Sequence, residues 1–147
     1  MKNSIVSDYV LNFASDLIKQ FEGCSLNAYL CPANVWTIGY GHTKNVKSND
    51  VITQNQAEEF LKNDILTSLS FLDKIVFPLA DNQKIALISF VFNVGINNFL
   101  NSTMLKKLNN QDFFGAAQEF DRWIYAKGKI LKGLQRRRKV EKEIFLS

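Results

Sequence analysis

The sequence predicts an α+β fold that is mainly α. Three observations carry the prediction. Apolar residues recur at three- and four-residue spacing along most of the chain, the mark of helices with one buried face. One segment, residues 24–43, breaks that rhythm with short β-prone runs and turn residues. Capping residues and Gly or Pro stops separate the helical stretches, so that they are individual helices. With 147 residues, 46% of them hydrophobic and 22% charged, the chain has the size and composition of one soluble domain.

The first helix starts at Ser7 or Asp8, or alternatively at Ser15. It carries Val10, Leu11, Phe13, Ala14, Leu17, Ile18 and Phe21 on one face. Gly23 is placed to stop it in a left-handed conformation. Glu22 then falls in the last turn, where the helix dipole works against the ionised carboxylate. That direction suits a general acid near neutral pH. Position alone also leaves open a solvated helix-end glutamate.

Ala28-Tyr29-Leu30 and Val35 to Tyr40 read as strands, with Pro32-Ala33-Asn34 as the turn between them. Gly39 and Gly41 leave room for close backbone approach. Together these give a sheet of two or three strands beside a helix end. Lys44 to Asn49 is a polar loop.

Thr53 and Gln56 fit a capping box. The helix behind it carries Ala57, Phe60, Leu61, Ile65, Leu66, Leu69 and Leu72 on one face and ends by Pro78. The next begins at Asp81 or Asn82 and stops near Gly95. It is apolar on nearly every side, which predicts a buried central helix. Ser102 or Thr103 opens a short helix and Asp112 another. Residues 127–133 read as a basic loop bounded by glycines. The final helix spans 134–146, with Val140, Ile144 and Phe145 inward and the Arg/Lys run outward.

Two motifs now combine. EG-x-x-L-x-AY followed by VWTIGYGHT resembles the active-site signature of the phage lysozymes (endolysins) of glycoside hydrolase family 24. In that family a Glu is followed nine residues on by Asp or Cys and fifteen residues on by Thr; here these are Glu22, Cys31 and Thr37. Cys31 stands where many members carry Asp. Further matches are ALISFVFNVG at 86–95, Ser102-Thr103, and GLQRRRKVEKEIF at 133–145.

The resemblance covers about residues 15–147, and it implies a lysozyme-like fold in a single domain. A sheet-containing lobe occupies about 15–52, a connecting helix 53–77 and a helical lobe 78–147. It implies hydrolysis of the β-1,4 bond between N-acetylmuramic acid and N-acetylglucosamine in bacterial peptidoglycan, leading to host cell lysis. Glu22, Cys31 and Thr37 are the catalytic residues. His42, Thr43, Phe92, Ser102 and Thr103 are the substrate-binding positions. No cofactor and no metal are expected. The implied protein is a monomer whose partner is peptidoglycan, not nucleic acid. It has no stable membrane insertion, and it waits in the host cytoplasm for release through a holin-type lesion before acting in the periplasm.

The residues limit the chemistry further. Thr37 offers a hydroxyl that can hold a water, though a β-branched residue is also simply at home in a strand. A neighbouring Glu22 carboxylate is expected to push the Cys31 thiol up, favouring a neutral thiol that positions water over a thiolate nucleophile. His42 reads first as structural, bonded to another element. Phe92 fits either the core or a saccharide cleft. Seven positions and a turn-prone segment separate Cys24 from Cys31, so a disulfide between them is sterically conceivable.

Net charge is +4 with a pI near 9.1, and from Arg122 to Glu143 nine Lys/Arg stand against two acids. This favours a polyanion such as the cell wall, a phospholipid surface or nucleic acid, or else a solvated helix face. A basic helical binding module is the competing function class. Nothing in its RRRK run accounts for the segment from Glu22 to Thr43. A second rival is a lysozyme-fold protein that binds cell wall or a partner without catalysis.

Overall fold

The computed structural model describes residues 2–147. They form two compact units, one of residues 15–67 and the other of residues 68–147 with the chain up to Ala14. Helix α1, Asp8–Phe21, crosses the division. Ser7 caps it, its hydroxyl accepting from the Val10 N–H at 3.2 Å. Val10, Ala14, Leu17 and Ile18 are buried as the spacing predicts. Phe13 is not: it is exposed and packs its ring against Tyr9, one turn away.

In the unit of residues 15–67, β1 (Ser25–Leu30) pairs antiparallel with β2 (Trp36–Gly39). The register joins Ser25 to Gly39, Tyr29 to Thr37 and Leu30 to Trp36, with a slip between the first two pairs. A third extended stretch closes on β1 through Ala28 N–H to Asp50 O and Ile52 N–H to Leu26 O, both at 2.9 Å. Helix α2, Gln54–Ser68, follows the expected capping box. The Thr53 hydroxyl accepts from Gln56 N–H, and the Gln56 amide oxygen accepts from Thr53 N–H.

Two expectations for this helix change. Leu66 is 44% exposed, because the buried stripe is Ala57, Leu61 and Ile65 at four-residue spacing and Leu66 turns about 100° away from it. The α-helix also stops at Ser68, and residues Leu69–Lys74 continue as a tighter 3-10 helix. Gly23 is a third correction. It does not adopt the left-handed conformation, since the chain leaves α1 directly into β1. The Glu22 N–H still reaches Ile18 O at 2.9 Å.

In the other unit, α3 (Asp81–Val94) is the buried helix the sequence predicts, with every residue from Lys84 to Val91 inside. It ends at Gly95, whose φ is +92°. Helix α4 (Ile96–Leu100) is short. Ser102 caps α5 (Thr103–Asn109) and Asp112 caps α6 (Phe113–Glu119), each through its side-chain oxygen. Helix α7, Lys132–Leu146, packs on α3.

The expected loop before α7 is instead a hairpin, β3 (Tyr125–Ala126) and β4 (Lys129–Ile130). Its two turn residues, Lys127 and Gly128, both have positive φ, as a type I′ turn requires. The inward face of α7 is the largest correction. Arg137, Arg138, Glu141 and Phe145 are buried, so two arginines of the run point in. The Glu141 carboxylate is fully buried and takes both guanidinium groups, with the Ser89 hydroxyl as a further donor. Arg138 also reaches Asn93 and the Trp123 carbonyl, and its guanidinium lies over Phe90. Burial pushes the Arg138 guanidinium down from its ordinary value, while Glu141 pushes it back up.

Candidate active site

Glu22 sits one residue past the end of α1, half-buried, where the chain turns towards β1. The end of α1 is held in place from α2. Lys19 Nζ lies 2.6 Å from Glu58 Oε1 and also over the Tyr40 ring, and the Gln54 amide donates to the Tyr40 hydroxyl. Past β2 the chain doubles back through Gly39-Tyr40-Gly41. Ile38 and His42 exchange both backbone hydrogen bonds at 2.9 Å. Gly39 (φ +64°) and Gly41 (φ +85°) supply the left-handed conformations of this tight return. A β-carbon on Gly41 would stand 4.0 Å from Glu22 Oε2. The glycine thus leaves open backbone next to the carboxyl, a pairing that sequence spacing alone does not reveal.

Cys31 and Thr37 meet at the closed end of the same hairpin. Cys31 N–H donates to Val35 O at 3.0 Å, Asn34 N–H donates to Cys31 O at 2.8 Å, and Asn34 takes φ +61°. Thr37 is buried, and its hydroxyl donates to Val35 O at 2.9 Å. The backbone amides of Val35 and then Ala33 hold the Cys31 thiol below its ordinary value, against burial, which raises it. That is opposite to the expected upward shift, because the neighbouring backbone amides, and not the Glu22 carboxylate that the expectation rested on, set the direction. A hydroxyl has one proton. With it given to Val35 O, the Thr37 oxygen keeps lone pairs for the proton of a water.

The disulfide reading fails on geometry. Both cysteines are free, with Cys24 exposed and its Sγ 3.7 Å from the Gln54 amide oxygen. The extended strand β1 lies between them. At about 3.3 Å per residue it separates their α-carbons by roughly 20 Å, against the ~7 Å a disulfide allows.

His42 is tied down. Its Nδ1 is 2.8 Å from Asp64 Oδ2, and its ring stacks on Phe60 at 4.3 Å. The side chain thereby fixes the return loop to α2. Thr43 beside it is exposed. The remaining predicted positions lie in the other unit. Phe92 is half-buried on α3, and Thr103 is exposed at the start of α5. Ser102 is buried, donates to Phe99 O at 2.6 Å and caps α5, so its hydroxyl serves the helix.

Comparison with known proteins agrees with this architecture. The phage lysozyme family model matches residues 19–141. The endolysin of Acyrthosiphon pisum secondary endosymbiont phage 1 is 51% identical over 136 residues, covering 89% of this chain and 93% of that protein. The muramidase domain of SpmX from Asticaccaulis excentricus superposes with a TM-score of 0.87 at 35% identity, covering 97% of this chain and 98% of that one. The endolysin from Escherichia coli O157:H7 phage FAHEc1 gives a TM-score of 0.82 at 32% identity, over 100% of this chain and 97% of that one. A family match across the span that holds the β1–β2 hairpin, the buried helix α3 and the Glu22 turn identifies the chain as a member of the phage lysozyme family.

Proposed function

We propose that this endolysin cleaves the β-1,4 bond between N-acetylmuramic acid and N-acetylglucosamine, with Glu22 as general acid and Thr37 holding the attacking water. Family membership makes the chain a peptidoglycan-hydrolysing enzyme. The assignment of bond and residues rests on one observation above others. The Glu22 carboxyl lies beside the bare backbone of Gly41, in the return turn that follows β2, the strand that carries Thr37.

In the proposed step, Glu22 gives its proton to the glycosidic oxygen as the bond to the anomeric carbon breaks. A water whose proton is accepted by the Thr37 oxygen attacks that carbon from the opposite face. The water's proton passes to solvent, and Glu22 is reprotonated from solvent. Cys31, in contact with Thr37, helps position the water. The product anomer is then inverted.

Thr43, Phe92 and Thr103 are the proposed sugar contacts, and His42 supports the loop that carries Thr43. The chain acts as a monomer, without metal or cofactor. It waits in the host cytoplasm for release through a membrane lesion.

Digestion of purified peptidoglycan tests the bond. Borohydride reduction of the fragments should convert muramic acid, and not glucosamine, at the newly formed ends. Reduced glucosamine in the mass spectrum would assign the opposite bond and contradict the proposal.

A further inference from the structure

The hairpin before α7 exposes large apolar side chains among lysines. Tyr125, Ile130 and Leu131 are 56%, 52% and 45% exposed. The register pairs Tyr125 with Ile130, so these two share a face, and it pairs Ala126 with Lys129. Lys127 forms the turn. The exposed side of α7 continues the charge with Lys132, Arg136 and Lys139, spaced on one stripe, while Arg137 and Arg138 turn into the core. No acidic residue occurs between Asp121 and Glu141. The ion pairs of this region run instead through Arg122, Arg137, Arg138 and Lys142. All of these groups belong to the unit that lacks Glu22.

We propose that the β3–β4 hairpin and the exposed stripe of α7 form a peripheral docking surface for an anionic phospholipid bilayer. Lys127, Lys129, Lys132, Arg136 and Lys139 complement the negative surface of such a membrane. Ile130 and Leu131 decide between the anionic partners. A wall glycan or a nucleic acid satisfies the cations but offers no hydrocarbon for aliphatic side chains, whereas a bilayer offers both. No helix among the described residues is long and apolar enough to cross a membrane, so the contact is superficial.

Co-sedimentation of the full chain with lipid vesicles tests this. The chain should bind vesicles of phosphatidylcholine mixed with phosphatidylglycerol and leave pure phosphatidylcholine vesicles unbound. Binding should weaken as salt rises. Lys127→Gln with Lys129→Gln should lower the partition coefficient by roughly thirtyfold. Ile130→Ser should lower it by about tenfold or more, which a purely electrostatic surface would not show. Both variants should keep the wild-type melting temperature and the wild-type rate on soluble peptidoglycan fragments. Leu131→Ser provides a second apolar test should Ile130→Ser disturb the hairpin. Equal binding to neutral vesicles, no binding to anionic ones, or anionic binding indifferent to both apolar substitutions would each overturn the proposal. So would equally tight retention on soluble polyglutamate.

Discussion

Glu22 Oε2 lies 4.0 Å from the point where a β-carbon on Gly41 would stand, and Gly41 holds φ +85°. Any side chain there faces two penalties. The left-handed backbone costs about 1–2 kcal/mol for an L-residue, and the added carbon borders the carboxyl. Gly41→Ala should therefore lower both the melting temperature and lytic activity, with activity falling further than stability explains. Calorimetry beside a wall-lysis assay checks this. Unchanged activity would mean that the space beside Glu22 is not used.

Thr37 should matter through its oxygen. Thr37→Val keeps the β-branched shape and removes the acceptor. It should retain the fold and lose activity, while Thr37→Ser should recover part of it. Proton NMR of a soluble peptidoglycan fragment should show the α anomer first. A β anomer formed first would indicate retention and would revive Cys31 as a nucleophile.

The Cys31 thiol is held below its ordinary value of 9.0, chiefly by the Val35 amide. In the Cys24→Ser background, alkylation by iodoacetamide should therefore rise with a pH midpoint under that value. A depressed value also means that the thiolate's preference for the fold is present above the ordinary value and is lost as pH falls through the depressed one. A midpoint at or above the ordinary value would contradict the amide contact.

Glu141 is enclosed with Arg137 and Arg138. Glu141→Ala leaves two buried cations without their carboxylate and should cost roughly 3–5 kcal/mol. Arg136→Gln, on the exposed side of α7, should change stability by less than about 0.5 kcal/mol. Urea denaturation of both variants separates the two sides of the arginine run.

Local chemistry in the sequence was a good guide to local structure. Thr53 with Gln56, Ser102 and Asp112 form the caps that their residue types predict, because a cap needs only neighbours within four positions. The paired strands and the buried α3 follow from patterns of similarly short range. The arginine run was misread because charge on a helix reads as solvated unless its partner is known. Here Glu141 is local but Ser89 and Asn93 come from α3, about fifty residues earlier in the chain. Gly23 was misread because a glycine after a helix suggests a left-handed stop, whereas the next strand takes over the chain at once. The β3–β4 hairpin was missed since its strands are two residues each, too short for a period to register. At the site, the order Glu22, Cys31, Thr37 was legible as a motif. The approach of Glu22 to Gly41 and the downward shift of Cys31 depend on backbone positions that no spacing encodes.

Glu22→Gln is the most direct test of the proposed chemistry. The substitution preserves shape and hydrogen bonding while removing the transferable proton. Clearing of a purified cell-wall suspension should slow by at least ~10²–10⁴-fold, with circular dichroism and melting close to wild type. A folded Glu22→Gln protein that clears the suspension at the wild-type rate would contradict the assignment of Glu22 as the acid.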